Sequence, residues 1–252
     1  MRLSLPEECR RLLTALADDD IGYFVRTLVP PDRWRILSRY ADRASYFDIE
    51  TTGLEFDDRI TVIVCQHRGE LLTFVEHENL DDFVDLLWDV DLLLSFNGST
   101  FDVPRVLSTF HIPELPCPHL DLRWPCWYRN LRGGLKDVTG RLGWQRPADL
   151  RDADGALAVR LWSHWENNGN CDARRQLIRY CAADVLLLQP LTQWLAGNPV
   201  GDVTDLWHLL PSASPAYFLS PGDDSTASAV AVSGLDEPVT DAPVGATSVR
   251  HN

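Results

Sequence analysis

Long apolar runs and paired cysteines are missing from this sequence of 252 residues. No run approaches the ~20 apolar residues that a helix needs to cross a bilayer, which argues against a membrane protein. None of the six cysteines belongs to a C-x-x-C pair, so neither a zinc ribbon nor a disulfide framework is expected. The N-terminus lacks the basic-then-apolar order of a signal peptide, so we expect a cytoplasmic protein with reduced thiols.

Positive charge is also scarce, because the formal net charge is −14 and Lys136 is the only lysine. Such acidity argues against a broad basic surface for duplex nucleic acid. The charge is unevenly distributed: residues 44–102 contain fourteen acidic and two basic side chains, whereas residues 103–148 contain seven basic and three acidic ones. The middle of the chain is therefore the only stretch whose composition favours a polyanionic partner.

The order of elements predicts a mixed α/β domain between two extensions. Residues 1–43 have apolar side chains at helical spacing and are expected to form a helical extension packed on the main domain. Residues 44–197 read as three strands, a helix, a strand, a helix, a strand and further helices, which is typical of a layered α/β domain. Residues 198–252 form a C-terminal extension, and its polar, aperiodic composition from about residue 220 predicts disorder.

Two carboxylates end the first strand-forming run. Asp48 and Glu50 are two residues apart, so on a strand they project from the same face while Ile49 turns into the core. Paired carboxylates at the end of a buried strand repel each other unless a cation lies between them, and Mg²⁺ takes oxygen ligands of this kind. The alternative is a strand that simply ends in the polar turn Thr51–Gly53.

A second acidic position follows the next strand. Asn97 lies in the turn after that strand, and Asp102 lies in the first turn of the following helix. An Asp at a helix start is also favoured by the helix dipole alone, so this position has a structural alternative. Asp121, further along, is expected to have a structural role rather than to bind a metal ion.

A third position lies in a late, mostly apolar helix. Tyr180 and Asp184 are four residues apart and share a helix face, and Cys181 between them allows close approach to a sheet. A buried, unpaired Asp is costly unless it meets a cation or hydrogen-bond donors. The alternative is a Tyr–Asp hydrogen bond at a helix surface.

Taken together, D-x-E at a strand end, N-x-x-x-F-D at a helix start and Y-x-x-x-D in a late helix resemble the DEDD exonucleases of the ribonuclease H-like superfamily. The tyrosine is similar to that of the DEDDy branch; the histidine branch has its His one residue earlier, where this sequence has Arg179. The strings at residues 47–54, 96–104 and 134–143 look most like the YprB-type predicted exonucleases. The resemblance covers residues 44–195.

The resemblance implies a ribonuclease H-like sheet of about five strands with helices on both faces. It implies that two Mg²⁺ or Mn²⁺ ions are bound by four carboxylates: Asp48, Glu50, Asp102 and Asp184. It further implies 3′–5′ exonuclease activity that releases nucleoside 5′-monophosphates, with the catalytic water oriented by Tyr180. Single strands or 3′ ends are the expected substrates.

The stretch from Arg123 to Arg132 interleaves aromatic and basic side chains, as a substrate channel does, although aromatic packing under a basic face explains it equally well. The candidate substrate contacts are Thr51, Thr52, Leu54, Asn97, Arg129, Arg132 and Lys136. Two alternatives stay open, an endonuclease on structured RNA or hybrids and a non-catalytic nucleic-acid-binding module. The sequence does not distinguish DNA from RNA.

Overall fold

The computed structural model of the protein describes residues 7–55 and 57–213; the disorder expected from about residue 220 lies outside these residues. The strands are β1 (Ala44–Thr51), β2 (Ile60–His67), β3 (Glu70–Val75), β4 (Leu92–Ser95) and β5 (His119–Asp121). The helices are α1 (Glu7–Ala17), α2 (Ile21–Thr27), α3 (Trp34–Tyr40), α4 (Asp82–Leu87), α5 (Asp102–Thr109), α6 (Arg123–Tyr128), α7 (Leu135–Arg141), α8 (Gly155–Asn168) and α9 (Cys171–Ala196). Short 3-10 turns lie at Pro30–Asp32, Ala41–Arg43, Ala148–Leu150 and Val203–Leu209.

The strands form one mixed sheet in the order β3-β2-β1-β4-β5. The first three strands along the chain are antiparallel neighbours, and β1, β4 and β5 run parallel. β1 therefore lies at the centre, with β4 beside only its first half, through Tyr46. The predicted mixed sheet of about five strands is confirmed.

Side-chain alternation along β1 divides the core between the two faces of the sheet. Phe47 and Ile49 belong to a cluster with Phe83 of α4 and Val106 of α5. Tyr46 belongs to a second cluster that includes much of α3, α8 and α9. Because Asp48 and Glu50 share the face of Tyr46, they lie on the side of the sheet that α9 covers.

The helix α9 is the longest of the described elements, at 26 residues, and it crosses the middle of the sheet. Cys181, Ala182 and Ala183 are fully buried there, and such small side chains let the helix backbone approach β1 closely. The Asn170 side chain accepts hydrogen bonds from the first turn, and the helix ends at Gly197, where φ is +83°. This close approach brings the middle of α9 to the carboxylates of β1.

The N-terminal helices pack on the same core as α9. Leu37 and Tyr40 of α3 are buried in the cluster that contains Leu186 and Leu188. At the other end of the described chain, Leu210 joins this cluster. Among the described residues, no helix has both the length and the apolar character required to cross a membrane.

Candidate active site

Asp48 and Glu50 form the floor of the site at the end of β1. Glu50 is only 8% exposed, and ligand atoms of Asp48, Glu50 and Cys181 all lie within 4.8 Å of one another. The pKa of Asp48 is raised well above its ordinary value, first by burial and then by the charges of Asp102 and Glu50. Burial also raises the pKa of Glu50, with Asp184 as the largest contributing charge. These carboxylates therefore repel one another in a desolvated site.

Asp102 reaches the site from the start of α5. It is 3% exposed, and its Oδ1 accepts a hydrogen bond of 3.3 Å from the backbone N–H of Ile49, in the half of β1 that β4 does not pair. Burial raises its pKa to about 7, although its backbone hydrogen bonds oppose that shift. This contact fixes Asp102 beside the Asp48–Glu50 pair.

The loop that delivers Asp102 is fixed by a different aspartate, Asp121. Its two oxygens accept hydrogen bonds from the N–H groups of Asn97 at 2.8 Å, Ser99 at 3.0 Å and Arg123 at 2.9 Å, and from the Ser99 hydroxyl at 2.6 Å. A Cβ at Gly98 would clash with the side chain of Ser95, so the loop requires glycine there. Asp121 is thus a structural residue, as its sequence context predicts.

Asp184 reaches the site from α9. It is 8% exposed, and burial raises its pKa to about 6 despite the opposing effects of Arg146 and Lys136. The Arg146 guanidinium forms an ion pair with Asp184 Oδ1 and lies 5.4 Å from the ring centre of Tyr180. Tyr180, one helical turn before Asp184, is 8% exposed, and burial raises its pKa above the ordinary value, so its hydroxyl stays protonated at neutral pH.

Four carboxylates from β1, α5 and α9 thus meet in one place; Glu50, Asp102 and Asp184 are buried and Asp48 is half-buried. Their donor atoms are hard oxygens, and their pKa values are raised by burial and, for the β1 pair, by the neighbouring carboxylates. Mg²⁺ and Mn²⁺ prefer such ligands, and a bound cation would relieve the repulsion. The residues present therefore fit divalent cations.

A family model of the RNase H superfamily matches residues 45–196, which include all four carboxylates and Tyr180. The chain belongs to the RNase H superfamily. No curated protein sequence matches it. A family B DNA polymerase from the hyperthermophilic archaeon Pyrobaculum calidifontis is similar in structure, with 18% sequence identity and a TM-score of 0.47, over 65% of this chain and 28% of the polymerase chain.

Two residues of this RNase H superfamily site were missed in the sequence. Arg146 is far from the motifs along the chain, and no local pattern links it to Asp184. Cys181 was interpreted only as a small residue, yet its Sγ lies 3.4 Å from the Asp48 carbonyl and 3.5 Å from Asp48 Oδ2. The position of Cys181 next to Tyr180 on α9 was the sequence feature that could have placed it at the site. Arg179, in contrast, lies outside the site because its Nε donates to Asp149 Oδ2 at 2.8 Å.

The turn after β1 presents Leu54 to solvent and engages Thr51 and Thr52 internally. Leu54 is 64% exposed. The Thr51 hydroxyl donates to the Gly53 carbonyl at 2.5 Å, and the Thr52 hydroxyl to Asp58 Oδ1 at 2.9 Å. Both threonines thus shape the turn, and Leu54 is the side chain that faces outward.

The other candidate substrate contacts have different positions. Lys136 is close enough to affect the pKa of Asp184. Asn97, with φ of +67°, accepts a hydrogen bond from Arg123 Nη1 at 2.5 Å. Arg132 stacks on Trp127 at 4.3 Å. Asn97 and Arg132 therefore already have protein partners.

Arg129, a candidate substrate contact, lies away from the carboxylates, at the C-terminal end of α9. Its Nη2 donates to the Leu195 carbonyl at 3.0 Å, and its guanidinium lies over the rings of Trp34 and Trp194. Leu195 is eleven residues beyond Asp184 on α9, roughly 16 Å along the helix. Arg129 therefore stabilises the end of α9, because it caps a terminal carbonyl and packs on aromatic rings.

Proposed function

We propose that this protein is a metal-dependent 3′–5′ exonuclease of the tyrosine branch, which hydrolyses phosphodiester bonds at nucleic-acid 3′ ends and releases nucleoside 5′-monophosphates. The observation that carries the proposal is the convergence of four carboxylates from β1, α5 and α9, three of them buried and Asp48 half-buried. Burial of like charges is costly without a cation, so a site of this kind is explained by binding one.

The cations would be held by the four carboxylates, with Asp48 and Glu50 at the centre. Mg²⁺ or Mn²⁺ held by these residues would activate water for attack at neutral pH and would stabilise charge on the phosphate. The hard oxygen ligands favour these ions, whereas the adjacent Cys181 thiol contributes a softer donor. The carboxylates also keep other anions out of the site until cations are present.

Tyr180 orients the attacking water in this proposal. Because burial raises its pKa, its hydroxyl keeps its proton and acts as a hydrogen-bond donor and acceptor, not as a strong base. Its ring lies against Arg146, which limits how it can rotate. The water would thus be held by a fixed hydroxyl close to Asp184.

The exposed Leu54 and the acidic surroundings of the site favour single-stranded ends over long duplexes. Leu54 follows the β1 carboxylates in the chain and is exposed, so in this proposal its side chain packs against the terminal bases. The net charge of −14 would repel a long duplex, whereas a short end makes few phosphate contacts. We propose that the substrate enters as a frayed or single-stranded 3′ terminus.

The test is a panel of 5′-labelled single- and double-stranded DNA and RNA, assayed with Mg²⁺, Mn²⁺ and EDTA. We expect a ladder shortened from the 3′ end, metal dependence and nucleoside 5′-monophosphate products. A 3′-phosphorylated oligonucleotide tests the need for a free end, and a circular single strand detects internal cleavage. Cleavage of the circle would favour the endonuclease alternative, and absence of any turnover would favour a binding module.

A further inference from the structure

Arg146 is a buried cation whose hydrogen bonds are incomplete. Its side chain is only 6% exposed, and one guanidinium nitrogen, Nη2, meets Asp184. The other two nitrogens, Nε and Nη1, are buried and have no hydrogen-bond partner. Buried donors without partners are costly, and the five N–H groups of an arginine are usually satisfied when it is buried. The contact with Asp184 therefore leaves Arg146 short of acceptors.

A cationic cavity adjoins this arginine. It has a volume of about 310 Å³. Its lining residues include Lys136, Thr139, Trp144, Gln145, Arg146 and Arg151. Three of them are basic and none of the described lining residues is acidic, in a chain of net charge −14. Such a cavity suits an anion, and Trp144 adds an aromatic surface of the kind on which bases stack.

We propose that Arg146 exchanges between two anionic partners, the Asp184 carboxylate in the cation-free site and a phosphate of the nucleic-acid 3′ end in the adjacent cavity. The inference rests on the proposed function and adds a substrate-binding residue and a reason for ordered binding. In this account Arg146 neutralises Asp184 until divalent cations take its place. The released guanidinium then meets the phosphate beside Lys136 and Arg151.

Electrostatic repulsion by bound cations favours the move of Arg146 from Asp184 to the phosphate. Divalent cations at Asp184 and Glu50 repel a guanidinium in contact with the same carboxylate. A phosphate offers several acceptor oxygens, and the planar guanidinium binds it through two parallel hydrogen bonds. The move would therefore satisfy donors that Asp184 leaves unpaired. Cation binding and phosphate binding would strengthen each other, because both remove Arg146 from Asp184.

The exchange and a purely positioning role of Arg146 predict opposite effects of its removal on Mn²⁺ affinity. If Arg146 competes with cations for Asp184, removing its charge must tighten Mn²⁺ binding. If Arg146 only holds Asp184 in place, the same change must weaken Mn²⁺ binding. The two roles are thus separated by a binding measurement that needs no turnover.

The experiment compares wild type, Arg146→Gln and the matched control Arg35→Gln, which removes an exposed arginine on α3. Mn²⁺ affinity is measured by calorimetry. Affinity for a 5′-fluorescein oligonucleotide with a free 3′ end is measured by anisotropy, with Ca²⁺ and with EDTA, and the oligonucleotide is checked by gel to be intact. For Arg146→Gln we expect Mn²⁺ binding at least about fivefold tighter and oligonucleotide binding in Ca²⁺ at least about fivefold weaker. Arg35→Gln should change neither by more than about twofold.

Unchanged or weaker Mn²⁺ binding by Arg146→Gln would overturn the exchange and leave the proposed nuclease function standing. Unchanged oligonucleotide affinity would likewise remove Arg146 from the substrate site. A wild type that binds neither Mn²⁺ nor the oligonucleotide would overturn both proposals together.

If Arg146→Gln does not fold, a measurement on the wild-type protein replaces it. The Arg146 Nε–H signal in the nitrogen-correlated NMR spectrum, assigned by its loss in Arg146→Lys, should shift when Ca²⁺ is added and again when the oligonucleotide is added. A signal that moves with neither ligand would contradict the exchange.

Discussion

Asp121 and Asp184 are both buried aspartates, yet the protein gives them different kinds of partner. Asp121 accepts four hydrogen bonds from the loop that precedes α5 and from Arg123. Asp184 meets the Arg146 guanidinium, and no hydrogen bond to its side chain is found among the described residues. A buried carboxylate with a full set of protein donors is structural, whereas one without them is available to a cation.

The largest expected effect comes from a change at Asp48. Asp48→Asn should lower metal-dependent nuclease activity by ~10⁴-fold or more, the scale seen when one member of a catalytic unit is lost. The same change should raise the melting temperature in EDTA, because it removes one of several mutually repelling carboxylates.

Asp121→Asn provides the opposite case. It replaces an acceptor oxygen by a donor that faces N–H groups, and should lower the free energy of unfolding by about 1–3 kcal/mol. Thermal unfolding with EDTA and turnover with Mn²⁺ are the two measurements. A destabilised Asp48→Asn, or an Asp121→Asn protein as stable as wild type, would break the distinction between the two kinds of aspartate.

The next effect in size concerns Tyr180. Tyr180→Phe should slow turnover by ~10²–10⁴-fold, the range for one positioned catalytic group, and should leave Mn²⁺ affinity unchanged. Asp184→Ala should weaken Mn²⁺ binding as well, because a carboxylate is lost. Turnover and Mn²⁺ calorimetry on the two variants side by side make the comparison. Wild-type turnover by a folded Tyr180→Phe protein would reduce the tyrosine to a packing role.

A smaller effect is expected in the pH dependence of stability without metal. The pKa values of Asp102 and Asp184 rise from 3.8 when unfolded to about 7 and about 6 when folded. Stability from these groups is therefore complete below about pH 4 and is lost as pH rises through 6 to 7. In EDTA, the free energy of unfolding should fall by about 2 kcal/mol or more between pH 5 and pH 8.

Saturating Mn²⁺ should abolish this loss, because cations stabilise the ionised carboxylates. Asp149 does not contribute to this loss between pH 5 and pH 8. The hydrogen bond from Arg179 lowers the pKa of Asp149, so the stability that Asp149 contributes is lost only in acid, below the ordinary pKa of 3.8. Denaturant titrations at several pH values provide the data. Metal-free stability that rises from pH 5 to pH 8 would contradict the buried-charge account.

The smallest expected effect is that of removing residues 220–252. This segment adds negative charge and has no apolar periodicity, so its deletion should leave turnover intact, or raise it slightly at low salt through weaker repulsion of substrate. Steady-state rates at two salt concentrations measure the effect. Loss of metal-dependent turnover in a folded truncated protein would show that the segment contributes to the site.

Local periodicity predicts two pairs of site residues, whereas their convergence with Asp102 in one cluster was implied by the resemblance to the DEDD exonucleases. The strand period of two places Asp48 and Glu50 on one face, and the helical period brings Tyr180 and Asp184 together. The order of elements predicts a layered α/β domain, and the resemblance implied the sheet of about five strands. These local patterns do not predict how distant elements pack together, and that packing decides which side chain lies opposite each carboxylate.

Arg146 and Arg129 illustrate that limit. Arg146 comes from the segment after α7 and meets Asp184 only through tertiary packing. Arg129 lies in a basic, aromatic stretch typical of a substrate channel, yet α6 directs it to the end of α9. A charged side chain has the same local signal in either setting, because its partner is fixed by packing and not by neighbouring residues.

Anomalous diffraction from crystals soaked in Mn²⁺ tests the central claim most directly. The account predicts two peaks among Asp48, Glu50, Asp102 and Asp184, and their loss in Asp48→Asn crystals. Glu76, His77 and Glu166 form another group whose ligand atoms lie within 4.8 Å of one another, and it serves as an internal comparison. Peaks at that group alone, or none at the four carboxylates, would contradict the account.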